Sequence, residues 1–215
     1  MKTSKTICLF SMPRCGSNHF CDLMWNFKNV DANAEILHKD AFYGNINNIN
    51  KLSSIYKIDN LDFEEKRIKL AQIRFNDPVG FYKNFKKTIN EDYVFFKVFN
   101  HLVNKKTNNL KLFPLLIKDI DYCMFLERNY VDSYISKLKA DVANTFTNID
   151  TTNIRVKFDI EGYSIYKNNS LSFFSKIKKH MEKLKKPIIT FNYEKMISLT
   201  DEEQNIVIRE IKKLI

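Results

Sequence analysis

Short runs of apolar residues alternate with longer amphipathic segments along the chain. Several of the short runs are apolar at consecutive positions, which is typical of strands buried on both faces of a sheet. They predict strands at 5–11, 34–37, 93–99, 121–127 and 187–193. The longer segments carry apolar residues at helical spacing and predict helices at 17–27, 61–74, 79–89, 110–118, 131–143, 171–184 and 201–214.

This alternation of strands and helices predicts a parallel sheet covered by helices, because parallel strands need a crossover connection. Asp62 and Thr200 precede two of the predicted helices and are suitable N-cap residues. The polar stretch 144–169 predicts no element. No repeat, linker or shift in composition divides the 215 residues, so we expect a single α/β domain over 1–215.

The balance of charge favours an anionic partner. The chain has 35 Lys and Arg against 25 Asp and Glu, a formal net charge of +10. Nucleic acid, a membrane surface and a phosphorylated small molecule are all compatible with such a charge. Charge alone does not separate them, so the choice depends on motifs.

Targeting signals and metal-binding patterns are not expected in this sequence. No apolar run approaches the roughly 20 residues of a membrane span, and the first apolar stretch ends at Pro13 and Arg14, which does not fit a cleaved signal peptide. The four cysteines form no CxxC pair and lie in apolar segments, as buried reduced thiols of a cytoplasmic protein do. No spacing typical of metal ligands is present, so we expect no metal.

The segment after the first predicted strand has the composition of an anion-binding loop. It reads MPRCGSNH over 12–19. Gly16 permits a sharp turn, and a helix opening near Ser17 offers free N–H groups and a positive dipole end to a phosphate or sulfate. Arg14 can add a charge-assisted hydrogen bond. The lysine of a GK[ST] loop is missing, which disfavours an ordinary Mg-nucleotide kinase. An ordinary turn with Arg14 in solvent is the alternative.

Two motifs resemble those of the PAPS-dependent sulfotransferases. The string SMPRCGSN at 11–18 resembles the PRSGTT or PRSGST loop that grips the 5′-phosphosulfate of the cofactor in that family. The string FLERNYVDSYIS at 125–136 resembles the family's strand–RNPxDxxxS–helix. A weaker similarity to a strand ending in YEDL lies at 189–196. The chain has no RKGxxGxW-like loop, which suggests a resemblance to the bacterial and tyrosylprotein-type branches, or a different nucleotide.

The resemblance implies a fold, a cofactor and a set of site residues. The fold is the P-loop nucleoside-triphosphate-hydrolase-like topology of sulfotransferases, the donor is PAPS and the product is PAP. Arg128 and Ser136 occupy the positions that hold the 3′-phosphate. The other implied cofactor contacts are the loop residues Pro13, Arg14, Cys15, Gly16, Ser17, Asn18 and His19. The acceptor is a hydroxyl or amine of a small molecule, glycan or peptide.

The chemistry needs a cation for the leaving phosphate, which Arg14 supplies, and a general base near the acceptor. Glu35 lies 21 residues after Arg14, an offset similar to that of the catalytic Glu in tyrosylprotein-type and several bacterial sulfotransferases. His38 is the second candidate, since the ordinary pKa of histidine is close to neutrality. His101 is a third, and Lys97 is expected to face the same crevice.

Three other interpretations stay open at this point. The first is a P-loop kinase-like nucleotide enzyme, and the second is a non-catalytic nucleic-acid-binding protein, supported only by the net charge. The second requires binding that weakens steeply with salt and does not need Arg14. The third is a sulfotransferase fold that binds an adenosine bisphosphate without turnover. A PAPS-dependent sulfotransferase is the leading hypothesis.

Overall fold

A computed structural model describes residues 4–100, 109–145, 151–197 and 211 of the chain. Within them a five-stranded sheet has the order β2-β3-β1-β4-β5, and every neighbouring pair is parallel. The strands are β1 (Lys5–Ser11), β2 (Val30–Ala32), β3 (Tyr93–Phe99), β4 (Ile120–Glu127) and β5 (Ile188–Asn192). The prediction of an α/β protein with a parallel sheet is confirmed.

Helices connect and cover the strands in the described part of the chain. They are α1 (Ser17–Trp25), α2 (Ile46–Ile55), α3 (Phe63–Asn76), α4 (Pro78–Thr88), α5 (Phe113–Asp119), α6 (Tyr130–Ala143), α7 (Ile160–Lys183) and α8 (Tyr193–Ile197). A 3-10 turn at Asn109–Lys111 precedes α5. None of these helices is both long and apolar enough to cross a membrane.

The sheet has helices on both faces, and aromatic contacts form much of the core. On one face, the ring of Phe20 in α1 lies 6.1 Å from that of Phe95 and 5.0 Å from that of Phe191, between centroids. On the other face, Phe10 of β1 packs edge-on against Phe173 of α7 at 5.9 Å. Burial of β1 and β3 on both faces explains their continuous apolar runs.

The central strand β1 ends where the direction of the connections changes. The chain reaches β2 and β3 on one side of β1, and then crosses to β4 and β5 on the other side. Ser11 is paired in register with Phe99 of β3 and Leu126 of β4, so these strands end at one edge. In open parallel sheets, ligands bind at such a switch point, beyond the carboxyl ends of the strands.

The strand predicted at 34–37 is wrong. The second strand is Val30–Ala32, and 34–37 forms a turn-containing loop after it. The reason is a buried polar network that the apolar pattern does not reveal: the carboxylate of Asp31 accepts hydrogen bonds from the side-chain amides of Asn48 and Asn33. Because its buried residues include such polar groups, β2 lacks the apolar run that predicts a strand.

Helices α2 and α7 differ most from the prediction, and the short α8 (Tyr193–Ile197) is not among the predicted helices either. Helix α2 was absent from it because its sequence is rich in Asn, and Asn45 caps it by accepting the N–H of Asn47. Helix α7 begins at Ile160, well before the predicted start at 171, with the carboxylate of Asp159 as its cap. The predicted helix 201–214 with its Thr200 cap lies outside the described residues, except for Ile211, which is helical and buried.

Other local predictions are confirmed. The bounds of β1 and β3 are the predicted ones. Asp62 caps α3 in a reciprocal capping box with Glu65, which satisfies two backbone N–H groups at the start of the helix. The prediction of buried reduced thiols agrees with the structure, because all four cysteines are buried and free.

Candidate anion-binding site

The loop between β1 and α1 has an unusual backbone conformation. Gly16, the N-cap residue of α1, has a φ of 77°, and Arg14 has a φ of 68°. Gly16 contributes no side chain that would occupy the first-turn amides of α1. These N–H groups lie at the positive end of the helix dipole, an arrangement that suits an anion.

Arg14 holds a conformation that costs a non-glycine residue about 1–2 kcal/mol. Two contacts hold the half-buried Arg14 in place. Its Nε donates to Ser136 Oγ at 3.1 Å, and its carbonyl oxygen accepts a hydrogen bond from Arg128 Nη1 at 2.7 Å. Strained backbone of this kind persists where the surroundings determine it, and it is common at binding sites. The structure thus brings together Arg14, Arg128 and Ser136, all predicted from sequence.

The turn from β5 into α8 lies against the same loop. The guanidinium of Arg128 lies 4.6 Å from the ring centroid of Tyr193, and that ring packs on Gly16. A Cβ at position 16 would be 2.0 Å from Tyr193 Cε2. Glu194 accepts the backbone N–H of Asn129 at 2.8 Å, next to Arg128. The weak YEDL-like motif therefore contributes to the site through packing.

One donor of Arg128 lies without a partner in the part of the chain that the structure describes. Its Nε is buried and finds no hydrogen-bond acceptor among the residues that the structure describes. A buried donor without an acceptor is costly, so such a group in a native protein calls for an explanation. An anion bound beside Arg128 is one, because it can accept this hydrogen bond.

A buried lysine joins the loop to the predicted general base. Lys97, in β3, is almost fully buried, and its Nζ lies 3.3 Å from Glu35 Oε1 and 3.4 Å from Ser17 Oγ. The ammonium also donates to the side-chain oxygen of Asn18. Charged side chains are rarely buried unless paired, and Glu35 is the pairing partner here. Sequence reasoning expected Lys97 to face the crevice, but it gave the residue no role.

Glu35 reaches this place from a loop. The predicted strand at 34–37 includes Glu35 and is wrong, since β2 ends at Ala32. The segment leaving β2 stays beside β3: the N–H of Asn33 donates to Phe95 O, and the N–H of Lys97 donates to Ala34 O. These bonds hold Glu35 beside the side chain of Lys97.

His38 lies next to Glu35 in the same loop. Its backbone N–H donates to Glu35 O at 3.1 Å, and its Nδ1 accepts the N–H of Asp40 at 3.3 Å. Burial lowers the pKa of His38, although Glu35 and Asp40 oppose this shift. The imidazole is therefore a neutral acceptor and remains a second base candidate. His19 is half-buried in the first turn of α1, and His101 lies outside the described residues.

Pro13 and Cys15 turn toward the protein interior. The Pro13 carbonyl accepts a long hydrogen bond of 3.4 Å from Ser133 Oγ. The buried Cys15 thiol lies 3.5 Å from Ser133 Oγ. Burial raises the pKa of Cys15, although the contact with Ser133 and the charge of Arg128 act against it. The thiol is thus uncharged and packed inward, which leaves the backbone of Cys15 as the part of this residue that can contact a ligand.

No protein-family model and no curated protein matches the sequence. The described residues also contain no group of three or more His, Cys, Asp or Glu side chains arranged to hold a metal ion. Any conclusion about function therefore depends on the geometry of the loop, the two arginines and the Lys97–Glu35 pair.

Proposed function

We propose that this protein is a sulfotransferase that moves a sulfuryl group from PAPS to a hydroxyl or amine acceptor. The observation that carries the proposal is the convergence of Arg14, Arg128 and Ser136 at the carboxyl edge of β1, beside the Lys97–Glu35 pair. Ser136 and Arg128 are 122 and 114 residues from Arg14 in sequence, yet both contact it.

The residues at this edge suit a ligand with two anionic groups. The first-turn amides of α1 and the side chain of Arg14 are assigned to the 5′-phosphosulfate. Arg128 and Ser136 are assigned to the 3′-phosphate, by the resemblance of their motif. The unpartnered Nε of Arg128 and the absence of a side chain at Gly16 fit an anion at this position.

The Lys97–Glu35 pair suits the transfer step. Bound PAPS supplies a sulfuryl group whose sulfur is attacked by the acceptor as its bond to the 5′-phosphate oxygen breaks. Glu35 accepts the proton of the acceptor, and the ammonium of Lys97, 3.3 Å from Glu35 Oε1, holds the carboxylate in place. Lys97 and Arg14 then stabilise the negative charge that develops on the leaving phosphate.

Calorimetric titration with PAP, ATP and AMP at two salt concentrations tests the proposal. We expect micromolar binding of PAP, much weaker binding of ATP and AMP, and a loss of PAP affinity of at least about tenfold in Arg128→Ala. Arg155→Ala, which changes an exposed arginine, is the matched control and should bind PAP normally.

Three results would contradict the proposal. Preferential binding of ATP would favour a kinase-like nucleotide enzyme. Equal binding of all three nucleotides that weakens steeply with salt would favour a nucleic-acid-binding protein, whose affinity comes from charge alone. Binding of PAP without sulfuryl transfer to any phenol, alcohol or amine tested would indicate an inactive protein of the same fold.

A further inference from the structure

Two helices reach the anion-binding loop through a chain of hydroxyl groups. Tyr166 of α7 and Ser133 of α6 are both buried, and their side-chain oxygens are 2.6 Å apart. Ser133 Oγ in turn lies 3.4 Å from the carbonyl oxygen of Pro13, at the start of the loop. Neither Tyr166 nor Ser133 is among the residues assigned above to the cofactor or to the transfer step.

The chemistry of the three groups sets the direction of these hydrogen bonds. A carbonyl oxygen only accepts, so Ser133 gives its single hydrogen to Pro13 O. With that hydrogen used, Ser133 Oγ accepts from Tyr166 across the 2.6 Å contact, and the Cys15 thiol, 3.5 Å away, can donate to the same oxygen. Burial raises the pKa of Tyr166 to about 12, so the phenol keeps its hydrogen at neutral pH.

This series of hydrogen bonds ends next to Arg14, the residue with the strained backbone. The Pro13 carbonyl and the Arg14 N–H belong to one planar peptide unit, so holding the carbonyl oxygen fixes the direction of that N–H. On its other side, Arg14 is held by the hydrogen bond from Arg128 to its carbonyl oxygen. The two peptide units that flank the positive φ of Arg14 are therefore both anchored.

We propose that Tyr166 is a positioning residue of the anion-binding loop and that it acts through Ser133. Its ring is fixed by the neighbouring ring of Tyr134, 5.5 Å away between centroids, so the hydroxyl is presented in one place. The identity of the anion rests on the proposed function, whereas the ordering of the loop does not. The role predicts that loss of one hydroxyl that is not assigned to the ligand loosens the loop and weakens anion binding.

Tyr166→Phe removes the hydroxyl and leaves the packed ring. We expect the dissociation constant of PAP to rise about 2- to 10-fold, the usual range for one hydrogen bond. We also expect faster hydrogen exchange at the backbone amides of 14–16 in the ligand-free protein. Tyr163→Phe is the matched control, because Tyr163 lies in the same aromatic cluster and packs on Tyr134. It should change neither quantity.

A double-mutant cycle tests the route through Ser133. If Tyr166 acts through Ser133, Tyr166→Phe has little further effect on loop exchange once Ser133→Ala is present. Full and equal effects of Tyr166→Phe in both backgrounds would overturn that route.

The two proposals fail in different ways. A wild-type protein that does not bind PAP, with loop exchange still accelerated in Tyr166→Phe, overturns the proposed function and supports the positioning role. Normal PAP binding and unchanged loop exchange in Tyr166→Phe overturn the positioning role alone. Equal acceleration in Tyr163→Phe would also overturn it, because the effect would then belong to the aromatic cluster as a whole.

Discussion

Lys97 occupies a position in a central strand where an apolar side chain is the usual occupant. Taking an ammonium out of water costs several kcal/mol, and its pairing with Glu35 offsets part of this cost. Ser17 and Asn18 supply further oxygen atoms near the ammonium. Stability alone therefore does not explain the pair, and the position of Lys97 between the anion-binding loop and Glu35 fits a role in chemistry.

Replacement of Glu35 separates binding from transfer. Glu35→Gln should leave the dissociation constant of PAP nearly unchanged and lower the rate of sulfuryl transfer about 10²- to 10⁴-fold, since the base is lost. The measurement is transfer of labelled sulfuryl from PAPS to a panel of phenols, alcohols and amines. His38→Gln is the comparison variant. If Glu35→Gln keeps its turnover and His38→Gln loses it, His38 is the base.

Asp31 gives the protein a pH-dependent stability. Burial raises the pKa of Asp31 to about 6, and this outweighs the hydrogen bonds from Asn48 and Asn33. The folded protein thus keeps the Asp31 proton up to about pH 6, whereas the unfolded chain releases it near 3.8. The Asp31 contribution to the free energy of unfolding therefore falls as pH rises through this window.

Urea denaturation between pH 4 and 7 measures this effect in the wild type and in Asp31→Asn. Because the amide introduced by this substitution cannot titrate, the difference in unfolding free energy between the two proteins should change by roughly 1 kcal/mol or more across the window. Parallel curves for the two proteins would show that Asp31 is not the group responsible.

The elements around the loop meet with little space between them. Gly16 is the N-cap residue of α1, Tyr193 is the first residue of α8, and the two are in contact. Since a side chain at position 16 meets the Tyr193 ring and also needs a positive φ, two separate constraints require glycine there.

Gly16→Ala should disturb both stability and binding. We expect a loss of about 1–2 kcal/mol from the positive φ alone, with a further loss from displacement of the Tyr193 ring, and PAP binding weakened at least about tenfold. Thermal denaturation and calorimetry measure these losses. In the double variant Gly16→Ala/Tyr193→Ala the clash is gone and the φ strain remains. Wild-type stability in the single variant would refute both constraints.

The sequence predicted the elements whose signals are local. The apolar runs of β1 and β3 and the cap at Asp62 are visible in neighbouring residues, and the structure confirms them. Strand β2 and helix α2 were missed because Asp31 and Asn48 are buried through hydrogen bonds to each other. Such a pairing is satisfied in three dimensions and leaves no periodic pattern in the chain.

The sequence predicted which residues belong to the candidate site, but not how they are arranged in space. The resemblance to the sulfotransferase motifs implied Arg14, Arg128 and Ser136, but only the strand order makes their loops adjacent. The role of Lys97 was missed because a lysine in an apolar run shows no sign of its partner. Glu35 lies in the loop that follows β2, and neither local sequence carries a signal for its pairing with Lys97.

At the scale of the whole molecule, the net charge of +10 belongs to the surface in general and is a separate feature from the candidate anion-binding site. A surface of diffuse positive charge attracts any polyanion, and such attraction weakens steeply with salt. The exposed lysines of α7 are part of that surface and include Lys176, Lys178, Lys179 and Lys183.

Two variants should therefore have opposite effects. Changing these four lysines of α7 to glutamine should weaken the binding of an oligonucleotide at low salt and leave PAP binding unchanged. Arg14→Ala should abolish PAP binding and leave oligonucleotide binding nearly as it was. Fluorescence anisotropy and calorimetry measure the two ligands. Loss of both ligands in Arg14→Ala would indicate one shared polyanion site.

The rates at which the four buried thiols react report how often their surroundings open. Burial raises the pKa of Cys8, Cys15, Cys21 and Cys123, so an alkylating reagent modifies each thiol only when its surroundings open. The alkylation rate of Cys15 then reports the opening of the loop. The rates of Cys8 and Cys123, which are neighbours in register across β1 and β4, report the separation of the central strands. A ligand bound by the loop would slow the alkylation of Cys15, provided that opening of the loop and not of the sheet exposes this thiol.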